Sequence, residues 1–296
     1  MITTAWRRRR EYEVAYVEVY SGKAFFWAQA VCLVLRLAAK PYVLNLHGGA
    51  LPSFARRWPG PVTRLLHSAV AVVTPSPYLF EKMKPYCQGL HIIPNGLSLQ
   101  SYPPKIRVRP RPHLVWLRAF HTIYNPTLAP RVLSLLHKEF PDINLVMVGP
   151  DKEDGSLSQT RQTASDFGVA NMVDFPGQVA KEEVPLWLQK GDIFLNTTDV
   201  DNTPVSVIEA MACGLCIVST DVGGIPYLLQ HEHDALLVPP DDPDAMARAV
   251  QRIFAEPGLA EYLSRNARQK AEHFDWSLIL PKWEELFTMV AERREL

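Results

Sequence analysis

The sequence predicts an α/β protein built from two parallel-sheet domains that face a common cleft. Three observations predict it. Short β-rich runs alternate with longer helical patterns along most of the chain, the order that parallel strands joined by helical crossovers require. The alternation occurs twice, on either side of a Pro- and Arg-rich stretch, 103–112 (PPKIRVRPRP), that reads as a linker. The charge also changes sign at that stretch. Residues 1–112 hold sixteen Lys or Arg against four Asp or Glu, and the remainder fifteen against twenty-seven, within a chain of zero formal net charge. At 296 residues, 47% apolar and 21% charged, the chain can bury two ordinary cores.

In the first half, VAYVEV (14–19) reads as a strand and 23–38 as a helix. YVLNL (42–46) is a strand ending at His47-Gly48-Gly49, and AVAVVTPS and LHIIPN are two more. The second half repeats the pattern with HLVWL, INLVMVG, VDFPG, DIFLNTT, CIVST and ALLVP as strands. Beyond Asp241 the chain is helical to its end. The expected bounds are 1–105 for the first domain, 113–276 for the second, and 277–296 for a C-terminal helix crossing back to the first.

Several function classes are disfavoured. Cys32, Cys87, Cys213 and Cys216 are scattered, with no secretory leader read, so a reduced cytoplasmic setting is expected rather than a disulfide framework. Cys213 and Cys216 form a C-x-x-C, but no second cysteine or histidine pair completes a metal site. The most apolar run, AFFWAQAVCLVL (24–35), is shorter than the ~20 residues a bilayer span needs and reads as a buried helix. The basic first half suits an anionic ligand or surface, and Arg7–Arg10 could touch anionic lipid head groups at the inner face of a membrane. A solvated turn, and simple attraction between the two halves, are the plainer alternatives. No recognition helix or stacking-aromatic motif points to nucleic acid.

The stretch DVDNTPVSVIEAMACGLCIVSTDVGGIP, from Asp199, concentrates chemistry. DIFLNTT ends a strand, Thr203 reads as an N-cap with Pro204 at the first helical position, and Gly214 stops the helix. The free N–H groups of Val205 and Ser206 at the helix start would bind an anion or hydroxyl. Glu209 lies one turn further on roughly the same face. Carboxylates at Asp201 and Glu209 would accept hydrogen bonds from a sugar or ribose diol near a phosphate. The ordinary alternative is a loop acid and an exposed helix charge.

The segment resembles the signature of the retaining glycosyltransferases of family 4, which have two Rossmann-like domains in the GT-B arrangement. Glu209 with EAMACGLCIVSTDVGGIP matches that signature, and Asp201 stands where the family normally has Glu. VVTPSPYLFEKM, HIIPNGLSLQSYP and LVWLRAF are similar to further family segments. The resemblance implies that Glu209 holds the ribose of a nucleotide sugar and that Arg118 binds its diphosphate. His47, in LNLHGG, would lie against the reacting sugar, and Asp201 would hold sugar hydroxyls. No metal and no cofactor is implied, since the nucleotide sugar is a substrate. Catalysis would then be positioning plus electrostatic stabilisation of the leaving diphosphate. The family lysine that usually follows Arg118 is replaced by HTIYNP, with His121, Tyr124 or a basic residue of the first domain as substitutes. The family's first strand and Gly-rich loop are not found before His47, so the first domain is expected to be incomplete, leaving a strand edge and apolar helix faces uncovered.

The resemblance thus implies transfer of a sugar from a nucleotide sugar to an acceptor hydroxyl with retention, in cell-surface glycan or glycolipid synthesis. The acceptor, whether glycan, lipid-linked or small, is open. A non-catalytic nucleotide-sugar-binding or partner subunit is the rival reading. A sugar-nucleotide epimerase shares the two-domain plan, but no residue points to it.

Overall fold

The computed structural model describes residues 2–292, and within them the chain forms two compact units. The first comprises the chain up to Gly96, the segment Asp201–Thr203 and the chain from Trp276 onward. The second comprises Leu97–Val200 and Pro204–Asp275.

The first unit runs α1 (Ile2–Arg7), β1 (Ala15–Val19), α2 (Lys23–Leu37), β2 (Tyr42–Leu46), α3 (Leu51–Arg57), α4 (Pro59–Leu66), β3 (Ala71–Thr74), α5 (Pro77–Met83) and β4 (Leu90–Ile92). Its four strands are parallel and lie in chain order, so β1 and β4 are the edges. The strand β2 is buried along its length and alternates between faces. Tyr42, Leu44 and Leu46 join the core formed with α2, α3, α4 and α5. Val43 faces the opposite way. A near-continuous apolar run, interrupted only by the buried Asn45, is what a parallel strand covered on both faces needs. Ser76 caps α5 by accepting from the Leu79 N–H at 3.1 Å, with Pro77 at the first helical position.

The second unit runs β5 (His113–Leu117), α6 (Leu128–His137), β6 (Asn144–Val148), α7 (Ser156–Asp166), β7 (Val173–Gly177), α8 (Val184–Lys190), β8 (Ile193–Asn196), α9 (Val205–Ala212), β9 (Cys216–Thr220), α10 (Ile225–Leu228), β10 (Leu236–Val238), α11 (Pro243–Ala255) and α12 (Leu259–Ala271). Its six parallel strands are ordered β10-β9-β8-β5-β6-β7. Leu114 and Trp116 of β5 face one core and Val115 the other, so the sheet is covered on both sides. The strand order reverses at β5, which pairs with β6 on one edge and with β8 on the other. Sheets of this kind take ligands outside the carboxyl ends of the strands at that reversal. Arg118 follows β5 directly, and the loop after β8 leads into α9.

The last helix, α13 (Trp276–Glu292), returns to the first unit, where Ile279, Leu286 and Val290 pack on Val43, Ala71, Val73 and Ile93. The final four positions of the expected C-terminal helix lie outside the described residues.

The Pro- and Arg-rich stretch lies in the second unit and is anchored there. Arg107 is fully buried, its Nε donating to Asp192 Oδ1 at 3.3 Å and its Nη2 to the Gly191 carbonyl at 3.0 Å. Arg111 reaches the other carboxylate oxygen through its N–H at 2.8 Å and its Nε at 3.1 Å. Burial alone would raise the Asp192 carboxyl, but these donors and the charges of Lys105 and Arg107 hold it below the usual carboxylate range. Cys213 and Cys216 are buried free thiols, and burial pushes both up to about 12, so they remain protonated and unreactive.

Candidate functional site

The site grows from the start of α9. Pro204 has φ −67° and ψ 121°, an extended conformation, so it stands at the N-cap and the helix begins at Val205. The expectation of Thr203 as N-cap with Pro204 inside the helix is therefore off by one residue. The physical reason is that the proline ring fixes only φ, and with ψ at 121° Pro204 is extended, so the first helical residue is Val205. Backbone bonds to the Pro204 carbonyl come from Val207 at 3.2 Å and Ile208 at 3.4 Å. The amides of Val205 and Ser206 precede these, at the positive end of the helix. At the other end Gly214, with φ 68°, closes the helix: its N–H meets the Met211 carbonyl at 2.9 Å, and Leu215 meets Ala210 at 3.1 Å.

Arg118 is brought to this helix start by β5. Its Nη1 donates to Ser206 Oγ at 3.4 Å, and its guanidinium lies 4.2 Å from the centre of the Tyr124 ring. The Arg118 N–H is held by the Val148 carbonyl at 3.0 Å, which ties the arginine to the end of β6.

Glu209 sits one turn along α9, in a helix buried at nearly every position, with only 5% of its side chain exposed. Two groups meet at its Oε1. The Tyr102 hydroxyl donates at 2.7 Å, and the Lys181 ammonium forms an ion pair. Burial first, and then Glu209 itself, drive the Tyr102 phenol well above its ordinary value, so it stays a donor. Arg118, Val205, Ser206 and Glu209 thus lie together in the second unit. A cation and two helix-start amides make an anion-binding end, and a carboxylate one turn away makes a hydroxyl-binding end.

His47 and Asp201 belong to the first unit. The His47 ring stacks on Tyr20 with centroids 5.2 Å apart, and its Nε2 lies 4.0 Å from Glu18 Oε1. Burial lowers its pKa, against the opposing pull of Glu18. Asp201 is buried, and its carboxylate accepts from the Asn202 N–H at 2.9 Å. A Cβ built on Gly49 would stand 2.6 Å from the Asp201 carbonyl oxygen, so the loop after β2 lies directly against this segment. Asn202 also accepts a hydrogen bond from Ser76.

Two contributors escaped the sequence reading: Lys181, which supplies the ammonium beside Glu209, and Tyr102. Of the residues expected to replace the family lysine, Tyr124 stacks on Arg118 instead, and His121 turns towards Asp154 at 3.7 Å. The available signal was positional, since Lys181 follows closely on β7, at the same end of the sheet as Arg118.

The fold and this site define a two-domain α/β protein of the GT-B type. The solved structure of Anabaena Alr3699/HepE in complex with UDP and glucose superposes with a TM-score of 0.84 at 18% identity, over 97% of this chain and 81% of that one. Sucrose-phosphate synthase from Thermosynechococcus elongatus superposes with a TM-score of 0.82 at 20% identity, over 97% of this chain and 76% of that one. Residues 110–270, more than half of the chain, match the family described as glycosyl transferases group 1, and the chain belongs to that family. Among curated relatives, a D-inositol 3-phosphate glycosyltransferase of Paenarthrobacter aurescens is 24% identical over 264 residues, covering 84% of this chain and 64% of the relative. The chain spans less than two thirds of that relative's length.

Proposed function

We propose that the chain transfers a sugar from a nucleotide sugar to an acceptor hydroxyl with retention of configuration. The observation that carries this reading is the pairing, at the strand-order reversal of the second sheet, of Arg118 and Ser206 with Glu209 one helical turn away. Arg118 and the amides of Val205 and Ser206 would hold the diphosphate and stabilise the charge that develops as it leaves. Glu209 would accept from the ribose diol, with Tyr102 and Lys181 yielding or sharing its oxygens. The resemblance gives His47 and Asp201 the sugar-facing roles. The reading invokes no resident metal or cofactor, because the nucleotide sugar is a substrate. Four free, buried thiols favour a reducing, cytoplasmic compartment, and cell-surface glycan or glycolipid synthesis is the setting we favour.

Titration with UDP-, GDP- and ADP-sugars tests the reading. One of them should bind to the wild type, and Glu209→Gln, which keeps the size and removes the charge, should weaken it by about 1.5–3 kcal/mol. Unchanged affinity in a folded Glu209→Gln variant would remove the assignment. The second reading, a binding subunit without turnover, is favoured by HTIYNP in place of the family lysine. Donor binding with neither hydrolysis nor transfer across mixed acceptors would select it.

A further inference from the structure

Glu209 is paired with a residue that can leave it. Its carboxylate is nearly buried, and a buried charge needs a counter-charge. Lys181 supplies one at Oε1, the oxygen that also accepts from Tyr102. The two partners differ in mobility. Tyr102 is buried and packs in the same core as α9. The Lys181 side chain is 62% exposed. Its backbone is held in a short turn after β7, where the Glu183 carboxylate accepts from the Ala180 N–H at 3.2 Å and the Glu183 N–H meets the Ala180 carbonyl at 3.0 Å. A fixed root with an exposed, flexible four-carbon stem lets the ammonium swing.

The place within its reach is one helical turn away. Ser206, which receives Arg118 Nη1 at 3.4 Å, precedes Glu209 by three residues on α9. Residues so spaced have β-carbons about 5–6 Å apart. The donor reading puts the diphosphate at Ser206 and the ribose at Glu209. One guanidinium and two helix-start amides would then face a group with more than one negative charge. The stretch HTIYNP, shortly after Arg118, brings no Lys or Arg. Its His121 is turned towards Asp154, and its Tyr124 stacks on Arg118.

Building on that reading, we infer that Lys181 is a displaceable latch on Glu209 and the second cation for the diphosphate. Ribose hydroxyls replace the ammonium on Oε1, and the ammonium crosses one turn of α9 to a phosphate oxygen, where a lysine acts as a point charge. Competition for Oε1 opposes the ribose, while the relocated charge favours the phosphates. Removing the ammonium therefore acts in opposite directions on the two halves of the nucleotide. A lysine that only neutralised or oriented Glu209 would act through the ribose alone, and its removal would weaken nucleoside and diphosphate alike.

The test uses the full chain, with calorimetric titration of UDP, GDP and ADP and ligand-observed NMR titration of the matching nucleosides. For the base that the wild type binds, Lys181→Met should weaken the diphosphate at least about tenfold, the loss of one charged hydrogen bond. The nucleoside should bind as tightly as before or up to about fivefold more tightly, the range set by an exposed ion pair. Lys181→Arg should keep the diphosphate within about threefold, because its charge is retained. An unchanged diphosphate affinity in Lys181→Met, or equal weakening of both ligands, overturns the inference and leaves the donor reading standing. Failure of the wild type to bind any of the three diphosphates, or binding that Glu209→Gln leaves unchanged, overturns both. The exposed side chain predicts an unaltered melt for Lys181→Met; if that variant does not fold, Lys181→Gln is held to the same outcomes.

Discussion

Gly149 follows β6 directly with φ 152°, and a Cβ there would overlap the carbonyl oxygen of Arg118. The glycine therefore sets how closely two strand ends approach, and with it the position of the arginine. Gly149→Ala is expected to cost about 2 kcal/mol or more of stability, because backbone must move and the conformation is strained for alanine. It should also weaken nucleotide-sugar binding, since Arg118 moves with its main chain. Full donor affinity in this variant would show that Arg118 is not held through Gly149. His47 makes a second prediction at this scale. Burial disfavours its charged form, so its folded pKa lies below the ordinary 6.5. The unfolded chain then takes up a proton first as pH falls. The stability present above pH 6.5 is lost progressively as pH drops towards the folded value. His47→Gln should flatten the decline of melting temperature between pH 6.5 and 5. Parallel curves for wild type and variant would mean that another group governs the acid limb.

Asp192, at the start of β8, shows how an element can depend on one charge. It is buried and receives Arg107, Arg111 and Lys105 from the preceding irregular stretch. Asp192→Asn would leave the buried Arg107 guanidinium uncompensated, a loss of about 3–5 kcal/mol. Because the folded carboxyl lies below its unfolded value, this contribution is present above about pH 4 and disappears as pH falls through the folded value. A urea titration of wild type and variant at neutral pH checks the first claim, and a difference under 1 kcal/mol would reduce the cluster to surface pairing. The same cluster shows where sequence reading stops. The strands YVLNL, HLVWL and VDFPG were legible to the residue, because apolar runs between turn residues depend only on local pattern. The Gly214 stop was legible for the same reason. The start of α9 was misplaced by one residue at Pro204. Arg107 looked like linker because its partner is 85 positions away, and Lys181 was invisible because its pairing with Glu209 spans 28. Patterns announce elements, whereas ion pairs across elements appear only once the fold brings them together.

At the scale of the molecule, each core draws its residues from one unit alone. The two cores of the second sheet use residues between Leu97 and Ala271, and those of the first sheet use residues up to Ile93 together with α13. Every group assigned to the diphosphate and ribose, from Tyr102 to Glu209, also lies in the second unit. A unit with a complete six-stranded sheet, covered on both faces, meets the conditions for folding by itself. A fragment of residues 97–275 is therefore expected to melt cooperatively and to bind the nucleotide diphosphate within about threefold of the full chain. It should transfer no sugar, because His47 is absent. Two measurements decide this, a thermal melt and a titration with the diphosphate of whichever donor binds the full chain. A fragment without a cooperative transition would show that the second sheet is stabilised from outside its own cores. A folded fragment that ignores the nucleotide would move donor recognition away from Glu209 and Arg118.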